Sequence, residues 1–415
     1  MALGLLMLGT FTMVYTLLAK KLSNGVLTAP MLFLGFGFLM AKAGQMPIAE
    51  AEHLLHIVAE LALIVLLFLD AAQINLKSLR ERHQWPFRML VIGLPLSVLI
   101  GTAFAALLLP AYPLIVAALV AALLAPTDAA LGQAVVTNKA VPERVRRALT
   151  LESGLNDGLA LPVILLFASL TAEMMQQDAT NWVLFGAKQL IFGPLVGAII
   201  GGIGGVLFLA AKQRKMTTAE IEGIGALAMA GCAYLSAGMI DGNGFIAAFV
   251  AGLCFGNVIK GQCAFIYEFT ESEGQMLSWG AFFLIGLALL PNAVAHLDAL
   301  SLTIILTSLF VVRPLAVWLS LLGTDAAPTT KLFFGWFGPR GLATALFALL
   351  IVDQIDHEIG ETLLNLAINA VWISAVLHGI SAVPLAKLYG ARMAGNDGAA
   401  EMAAMPPMRP NITED

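Results

Sequence analysis

The sequence predicts an all-α protein that crosses a membrane many times, and three observations lead to this prediction. Only 12% of the 415 residues are Asp, Glu, Lys or Arg, against about 25% in a soluble protein. The apolar fraction is 59%, and the mean hydropathy is +0.88. The apolar residues recur in blocks close to the roughly 20 residues that a membrane helix needs. These values exclude an ordinary cytosolic enzyme.

Thirteen apolar blocks predict thirteen transmembrane helices. The first begins directly after Met1 without a basic region or a small-residue cleavage site, so we expect a retained helix. Pro110, Pro113 and Gly242-Asn243-Gly244 mark either turns or breaks, which leaves the limits of two blocks open. In chain order the predicted helices lie at residues 2–18, 26–41, 51–72, 86–109, 112–137, 147–173, 182–211, 218–239, 243–259, 274–292, 299–322, 330–352 and 360–388.

The basic residues are distributed unevenly between the two sets of alternating loops. Eighteen of the 22 lie in one set and in the carboxyl-terminal tail, whereas Lys42 alone lies in the other set. By the positive-inside rule the first set is cytoplasmic, which places the amino terminus outside and the carboxyl terminus inside. The net charge of −5 comes without a basic or basic-aromatic tract, so we expect no nucleic-acid partner.

Residues 391–415 contain too little apolar sequence to fold alone and are predicted to be a disordered cytoplasmic tail. No nucleotide-binding segment follows residues 1–390, so any pumping is expected to use an ion gradient.

Two predicted helices carry acidic residues where the bilayer makes them costly. In 112–137, Pro126 precedes Thr127-Asp128 and removes a main-chain donor, which favours an interrupted helix with carbonyl groups available to a cation. The alternative is a simple proline kink in which Asp128 caps the following half-helix. In 147–173, Glu152 and Asn156 form one i, i+4 pair, and Ser153 and Asp157 form a second, so the four side chains lie on one face of the helix. This face combines hard oxygen donors with a carboxylate that can alternate between a proton and a cation.

Two arginines also lie inside predicted spans, Arg313 before Pro314 and Arg340 after Pro339. An unpaired arginine in hydrocarbon is costly, so each is expected to pair with a carboxylate or with exposed carbonyl groups. The simplest neutral arrangement pairs Arg313 with Glu152, leaves Arg340 at the interrupted helix, and frees Asp157 for transport.

The two proline-interrupted helices are the fifth and the twelfth. An odd offset of seven crossings makes them run in opposite senses, as an inverted repeat of helices 1–6 and 8–13 around helix 7 would. The pattern predicts an ion site near the middle of the membrane.

Five motifs stand out together: Thr127-Asp128, Glu152-Ser153-Gly154-Leu155-Asn156-Asp157-Gly158, the run 244–252, Arg313-Pro314 and Gly335-Trp336-Phe337-Gly338-Pro339-Arg340-Gly341. As a set they resemble the NhaP-type branch of the monovalent cation/proton antiporter-1 family over essentially the whole membrane part. The resemblance implies a homodimer and elevator-type alternating access around two crossed discontinuous helices. It also implies core helices at about 86–173 and 299–388, dimerisation helices at about 2–72 and 218–292, and a linking helix at about 182–211.

The resemblance also implies residue roles. Asp157 matches the essential ion- and proton-binding aspartate, Ser153 and Asp128 supply ligand oxygens, and Asn156 and Thr127 stabilise the crossing. Glu152 matches the structural glutamate, with Arg313 as its arginine, and Arg340 matches the arginine of the second unwound helix. The Na⁺ ligands are then Asp157, Ser153 and Thr127. Asn156, where electrogenic relatives carry an aspartate, implies electroneutral 1:1 exchange.

Two features depart from the family pattern or stay open. Ala129-Ala130 stand where many members have Pro-Val, which leaves the shape of the first unwound stretch open. Asp70 resembles a cation-binding acidic position in the cytoplasmic funnel, and the other interpretation is an interfacial charge that reaches water.

The sequence thus predicts a Na⁺ (or Li⁺)/H⁺ antiporter of a prokaryotic inner membrane that serves pH homeostasis and needs no cofactor. Its partners are monovalent cations, protons, lipid and a second copy. K⁺/H⁺ exchange on the same fold is the alternative. An intramembrane enzyme and a passive channel remain as other classes, which coupled proton and cation movement would distinguish.

Overall fold

The computed structural model describes residues 2–22, 27–44, 48–74, 76, 84–128, 131–175, 182–260, 274–394 and 399–403. These residues form helices joined by short turns, and no strand occurs within the described ranges. The all-helical class predicted from the sequence is therefore confirmed.

The first eight described helices occupy the amino-terminal half of the chain. They are α1 (Ala2–Leu22), α2 (Ala29–Lys42), α3 (Ile48–Ala72), α4 (Gln84–Leu108), α5 (Leu114–Leu123), α6 (Gln133–Val136), α7 (Glu143–Met175) and α8 (Trp182–Gln213).

The following helices complete the membrane part, and a short 3₁₀ turn follows at Ala400–Met402. They are α9 (Ala219–Gly238), α10 (Gly244–Ile259), α11 (Gln275–Ala288), α12 (Leu290–Ala295), α13 (Ala299–Ser320), α14 (Pro328–Trp336), α15 (Leu342–Val352) and α16 (His357–Met393).

Within the described ranges, seven helices are long and apolar enough to cross a membrane: α3, α4, α7, α8, α9, α13 and α16. Helices α2, α5, α10, α11 and α15 are apolar but shorter. The chain is therefore an integral membrane protein with several apolar helices. Each of the thirteen predicted spans overlaps helical residues. That all thirteen cross the bilayer stays a prediction.

Two predicted helices contain a longer non-helical stretch, besides the one-residue break at Leu289 between α11 and α12. The span 112–137 contains α5, a non-helical stretch at 124–128, and the short α6. The span 330–352 contains α14 and α15, separated by Phe337–Gly341. Pro126 and Pro339 lie in these stretches, and neither has an N–H to continue a helical hydrogen-bond ladder. The interruptions leave main-chain polar groups that need other partners.

Helices α4 and α13 share a local feature that the sequence analysis did not predict. Each contains one π-helical turn, at Met89–Gly93 and at Ser308–Val312. Each π turn ends just before a Leu-Pro or Arg-Pro pair, at Pro95 and Pro314. A proline lacks the N–H that the preceding turn would use, which favours a wider turn there.

Small residues let several helices pack closely, as helices in membranes commonly do. Gly197 and Gly201 of α8 face the main-chain oxygens of Ala247 and Ala251 in α10. The other side of α10 approaches α3 in the same way, because Gly252 faces Phe68 O. A side chain larger than hydrogen at these glycines would meet main-chain atoms. Gly197 and Gly201 thus serve helix packing.

The segment after α16 differs from the predicted disordered tail 391–415. Helix α16 continues to Met393, and Glu401 in the 3₁₀ turn is 1% exposed. Its Oε1 accepts hydrogen bonds from Ala327 N–H at 2.9 Å and from Thr330 Oγ1 at 2.6 Å. Hydropathy did not predict this order because it comes from polar contacts with a distant loop. Residues 395–398 and 404–415 lie outside the described ranges.

Candidate functional site

The two helix interruptions lie against each other in the core. Asp128 N–H donates to Pro339 O at 2.9 Å, which joins the two stretches through their main chains. The Arg340 guanidinium donates from Nη1 to Ala125 O at 3.2 Å and to Pro126 O at 3.3 Å. Arg340 is 1% exposed. Its charge is thus balanced partly by carbonyl groups that the first interruption leaves without helical partners.

Asp128 holds the start of α15. Its Oδ2 accepts a hydrogen bond from Leu342 N–H at 2.7 Å. Gly341, the residue before α15, has no side chain, and a β-carbon there would collide with the Asp128 carboxylate. A carboxylate at a helix start satisfies a main-chain donor and the helix dipole together. Each interruption therefore supplies a charged group, Asp128 or Arg340, to the main chain of the other.

Arg313 and Glu152 form a buried ion pair. Arg313 Nη1 donates to Glu152 Oε1 at 3.1 Å and Nη2 to Oε2 at 3.0 Å, and the residues are 3% and 4% exposed. Nη2 also lies 3.5 Å from the carbonyl oxygens of Phe334 and Phe337, at the end of α14. Arg313 directly follows the π turn of α13. The structure thus brings together the two charges that the sequence analysis paired.

Neutral polar side chains extend from this ion pair towards Asp157. Asn156 Nδ2 donates to Thr127 Oγ1 and lies 3.4 Å from Glu152 Oε1. Thr127 Oγ1 and Ser153 Oγ are 3.2 Å apart. These side chains all lie on α7 or in the 124–128 interruption, and Thr127, Ser153 and Asn156 are buried. The i, i+4 spacing on α7 and the interruption beside it create one connected polar cluster.

Asp157 lies next to this cluster in a different environment. Its Oδ1 is buried and makes no hydrogen bond to any described residue. Its side chain lines a cavity of about 260 Å³, together with Asp70, Asp128, Ser153 and Gln133. The carboxylates of Asp128 and Asp70 act electrostatically on that of Asp157. Three acidic side chains around one cavity create a field that attracts a small cation.

The cluster is not a conventional transition-metal site. Within the described ranges, no group of three or more His, Cys, Asp or Glu side chains is arranged to hold a metal ion. The oxygen donors that line the cavity beside Asp157 include the Ser153 hydroxyl, whereas the predicted ligand Thr127 lies 3.2 Å from Ser153 Oγ and does not line the cavity. Hard oxygen donors of this kind suit alkali or alkaline-earth cations better than soft metals.

Three buried residues at the second interruption were missed by the sequence analysis. Ser308 Oγ accepts from Arg340 Nη2 at 3.2 Å, and Ser374 Oγ accepts from Arg340 N–H at 2.7 Å. His378 lies one turn after Ser374 on α16 and contacts Trp336 O. Ser374 and His378 form a polar i, i+4 pair within an apolar helix, and this pattern could have drawn attention to them. Only the fold shows that the pair lies beside the interruption.

Comparison with known families and curated proteins finds relatives among transporters. The family model described as "Sodium/hydrogen exchanger, transmembrane" matches residues 7–388. The K(+)/H(+) antiporter NhaP of Alkalimonas amylolytica is 25% identical over 396 residues, covering 93% of this chain and 66% of the relative. The K(+)/H(+) antiporter NhaP2 of Shewanella oneidensis is 26% identical over 385 residues, covering 91% and 65%. The chain thus spans just under two thirds of the length of these relatives.

A solved structure shares the fold. The sodium proton antiporter MjNhaP1 from Methanocaldococcus jannaschii, at pH 8, superposes with a TM-score of 0.77 at 20% sequence identity. The match covers 95% of this chain and 99% of that one. At this identity the likeness concerns the fold.

Proposed function

The chain belongs to the sodium/hydrogen exchanger family, whose members are cation/proton antiporters and not enzymes, and on this premise we propose that it exchanges a monovalent cation for a proton across a membrane. The observation that carries the proposal is the buried Oδ1 of Asp157, which has no hydrogen-bond partner among the described residues. Both carboxylate oxygens of nearby Glu152 are instead bound by Arg313. A buried carboxylate oxygen is costly unless a proton or a cation occupies it.

The transported ion in this proposal is Na⁺ or Li⁺, bound by Asp157, Ser153 and Thr127. Ser153 and Thr127 add hydroxyl oxygens close to each other, at 3.2 Å. Asp128 and Asp70 line the same cavity and act directly or through water. Because Leu342 N–H already occupies Asp128 Oδ2, its main contribution is negative charge. No cofactor takes part, and the cation and the proton are the substrates.

Coupling follows from competition at one carboxylate. Asp157 binds either a proton or a cation, so loading one releases the other. Asn156 is neutral, whereas Glu152 is neutralised by Arg313. In this proposal Asp157 is the one carboxylate that exchanges, while Asp128 and Asp70 keep their charge, so that one cation moves against one proton in an electroneutral 1:1 exchange.

K⁺ is the second candidate for the transported ion. The curated relatives from Alkalimonas and Shewanella are named as K(+)/H(+) antiporters. Carboxylate and hydroxyl oxygens coordinate ions of either size, so the donor set alone does not distinguish them.

The transport cycle in this proposal is elevator-type alternating access. The core helices at about 86–173 and 299–388 carry two crossed discontinuous helices, and Asn156, Glu152, Arg313 and Arg340 hold the crossing. Support comes from the contact of the two interruptions and from the π turns of α4 and α13, which are seven predicted helices apart. Dimerisation helices at about 2–72 and 218–292 form a homodimer, and helix 182–211 links the two parts.

The proposed location is a prokaryotic inner membrane, where exchange serves pH homeostasis. The amino terminus is outside and the carboxyl terminus cytoplasmic, because the loops rich in Lys and Arg are expected inside.

The test uses the purified full chain in proteoliposomes with an acidic interior, while a dye follows internal pH. We expect Na⁺ or Li⁺ to raise the internal pH, with no effect of clamping the membrane potential. Adding K⁺ in the same assay tests whether K⁺, the second candidate ion, is exchanged for protons. Asp157→Asn should abolish the response because the amide cannot exchange a proton.

A matched control separates this effect from the loss of any acidic side chain. Asp298→Asn changes an exposed aspartate at the start of α13, whose capping role asparagine can also fill, and should leave exchange intact. Absence of a proton signal with all three cations would contradict antiport. Cation movement without proton movement would instead indicate a passive channel.

A further inference from the structure

The interruption between α14 and α15 leaves two main-chain groups at the spacing of a missing helical hydrogen bond. In a continuous helix, Arg340 N–H would donate to Trp336 O, four residues earlier. Helix α14 ends at Trp336, and Pro339 removes the next donor. Trp336 O accepts from Gly338 N–H at 2.8 Å instead, in a tight turn. Arg340 N–H is therefore separated from its helical partner inside a buried region, where a donor without an acceptor is costly.

Two side chains of α16 fill this gap. Ser374 Oγ accepts the hydrogen bond of Arg340 N–H at 2.7 Å. His378 Nε2 lies 2.8 Å from Trp336 O, and its Nδ1 lies 3.1 Å from Ser374 Oγ. Ser374 and His378 are 0% and 2% exposed. The contacts thus run without a gap from Trp336 O through His378 and Ser374 to Arg340 N–H.

Each ring nitrogen of His378 faces a carbonyl oxygen, Nε2 that of Trp336 at 2.8 Å and Nδ1 that of Ser374 at 2.9 Å. A carbonyl oxygen only accepts and a neutral ring has one N–H, so the neutral ring donates to one of the two. With the N–H on Nδ1, the ring donates to Ser374 O of its own helix. With the N–H on Nε2, it donates to Trp336 O, and Nδ1 accepts the hydroxyl hydrogen of Ser374, whose oxygen accepts from Arg340 N–H. The second arrangement connects Trp336 O to Arg340 N–H. The imidazole ring stacks on the Trp336 indole with centroids 4.9 Å apart, which holds its plane.

We propose that His378 and Ser374 replace the missing main-chain hydrogen bond between Trp336 and Arg340, and that they are positioning residues for ion exchange. This inference rests on the proposed antiport function. The pair contacts neither the cavity nor Asp157. It acts through Arg340, whose guanidinium reaches Ala125 O and Pro126 O, and so through the stretch that carries Thr127 and Asp128.

The transport test compares variants of His378 that keep different nitrogen positions. The amide nitrogen of His378→Gln reaches the place of Nε2, whereas that of His378→Asn reaches only the place of Nδ1. We expect His378→Gln to keep most of the maximal exchange rate. His378→Asn and His378→Leu should lower that rate about tenfold, with little change in the cation KM. His296→Gln, at an exposed histidine, is the control.

Ser374→Ala removes a single oxygen and should also lower the maximal rate several-fold. Thr362→Ala is its control on the same helix, because that exposed hydroxyl donates to Glu358 O of its own helix. The double variant Ser374→Ala/His378→Leu should be no slower than His378→Leu alone, since both changes break one series of contacts. Wild-type rates in Ser374→Ala and His378→Leu would overturn the proposal. So would His378→Gln as slow as His378→Leu, which would indicate that the ring itself moves protons.

A second measurement does not depend on transport. Amide hydrogen exchange in the detergent-solubilised chain should become faster in the 337–342 segment of Ser374→Ala, while α14 and α16 stay protected. Unchanged protection of the 337–342 amides from hydrogen exchange would overturn the proposal, even if the variant no longer transports ions. If the wild type exchanges no ions, the proposed function fails, and this measurement still decides whether the pair holds the interruption.

Discussion

Glu152 and Arg313 show why charged residues can persist inside the hydrocarbon core of this protein. Each would be costly alone, and together they form two hydrogen bonds of 3.0 and 3.1 Å. The Arg313 guanidinium also approaches carbonyl oxygens at the end of α14. Asp157 differs from Glu152, because its buried Oδ1 is bound by none of the described residues. The two carboxylates of one helix are therefore suited to different roles, one to hold the fold and one to exchange ions.

The ion pair predicts a specific pattern of stability changes. Glu152→Gln or Arg313→Met should each lower the free energy of unfolding by about 3–5 kcal/mol, because the remaining charge is buried without its partner. The exchanged pair Glu152→Arg/Arg313→Glu should recover part of this loss. Thermal unfolding in detergent measures all three variants.

The exposed pair Lys188–Asp241, at 3.0 Å, is the matched control. Exchanging its two charges should change stability by less than about 1 kcal/mol, since water screens both groups. If the single variants still fold but Glu152→Arg/Arg313→Glu recovers none of the lost stability, the pairing of these two residues does not depend on charge.

At the scale of elements, the interrupted helices depend on caps supplied by distant parts of the chain. Asp128 caps α15 through Leu342 N–H. Helix α14 begins after Ala327, which has no side-chain cap of its own, and Glu401 accepts from Ala327 N–H and Thr330 Oγ1. In the second discontinuous helix, the start of each half, α14 and α15, is thus bound by a carboxylate from a distant part of the chain.

Removing the Glu401 carboxylate should loosen the start of α14. We expect Glu401→Ala to lower the free energy of unfolding by about 1–3 kcal/mol, because Ala327 N–H and Thr330 Oγ1 lose a buried acceptor. Glu401→Gln keeps one acceptor oxygen and should lose less. Thermal unfolding measures both, with the exposed Glu358→Gln as control. Equal stability of Glu401→Ala and the wild type would refute this capping role.

The loop before α14 carries a second carboxylate, Asp325, with a defined pH effect. Burial raises its pKa, but hydrogen bonds from Arg144 and Trp85 outweigh burial and hold the pKa below its usual value of 3.8. Arg144 Nη1 lies 2.8 Å from Asp325 Oδ2, and Trp85 Nε1 lies 2.7 Å from Oδ1. The carboxylate therefore favours the folded state while it is ionised.

The sign of the pH dependence follows from this lowered pKa. The stabilisation by Asp325 is complete above the unfolded pKa near 3.8 and is lost as the pH falls through the lower folded pKa. Unfolding temperatures measured from neutral pH to about pH 3 should therefore fall less steeply for Asp325→Asn than for the wild type. Parallel curves for the two proteins would show that Asp325 does not contribute.

At the scale of the whole molecule, close helix packing and the polar cluster occupy different regions. The glycines of α8 and α10 bring α8, α10 and α3 together through main-chain contacts. The ion pair and the two interruptions lie instead among α5, α7, α13 and α14–α16, whereas the cavity of Asp157 is also lined by Asp70 of α3. In the proposed division into a framework part and a moving core, this cavity lies between the two parts.

The proposed homodimer gives a prediction at this scale. Light scattering of the detergent-solubilised chain, corrected for bound detergent, should give twice the 43.8 kDa of one chain. A mass of one chain at all concentrations would contradict the proposed assembly, while leaving the site chemistry untouched.

The sequence by itself determined the membrane class, the helix positions and the pairing of Arg313 with Glu152. Apolar blocks predict helices because hydrocarbon requires every main-chain polar group to be satisfied within the segment. An arginine at that depth requires either a carboxylate, as Arg313 has, or carbonyl oxygens, as Arg340 has, which restricts its partners. Only the tertiary structure decided that Asp128 caps α15, that His378 and Ser374 bridge Trp336 and Arg340, and that Glu401 caps α14. These contacts join residues far apart in the chain, and hydropathy carries no information about which of them meet.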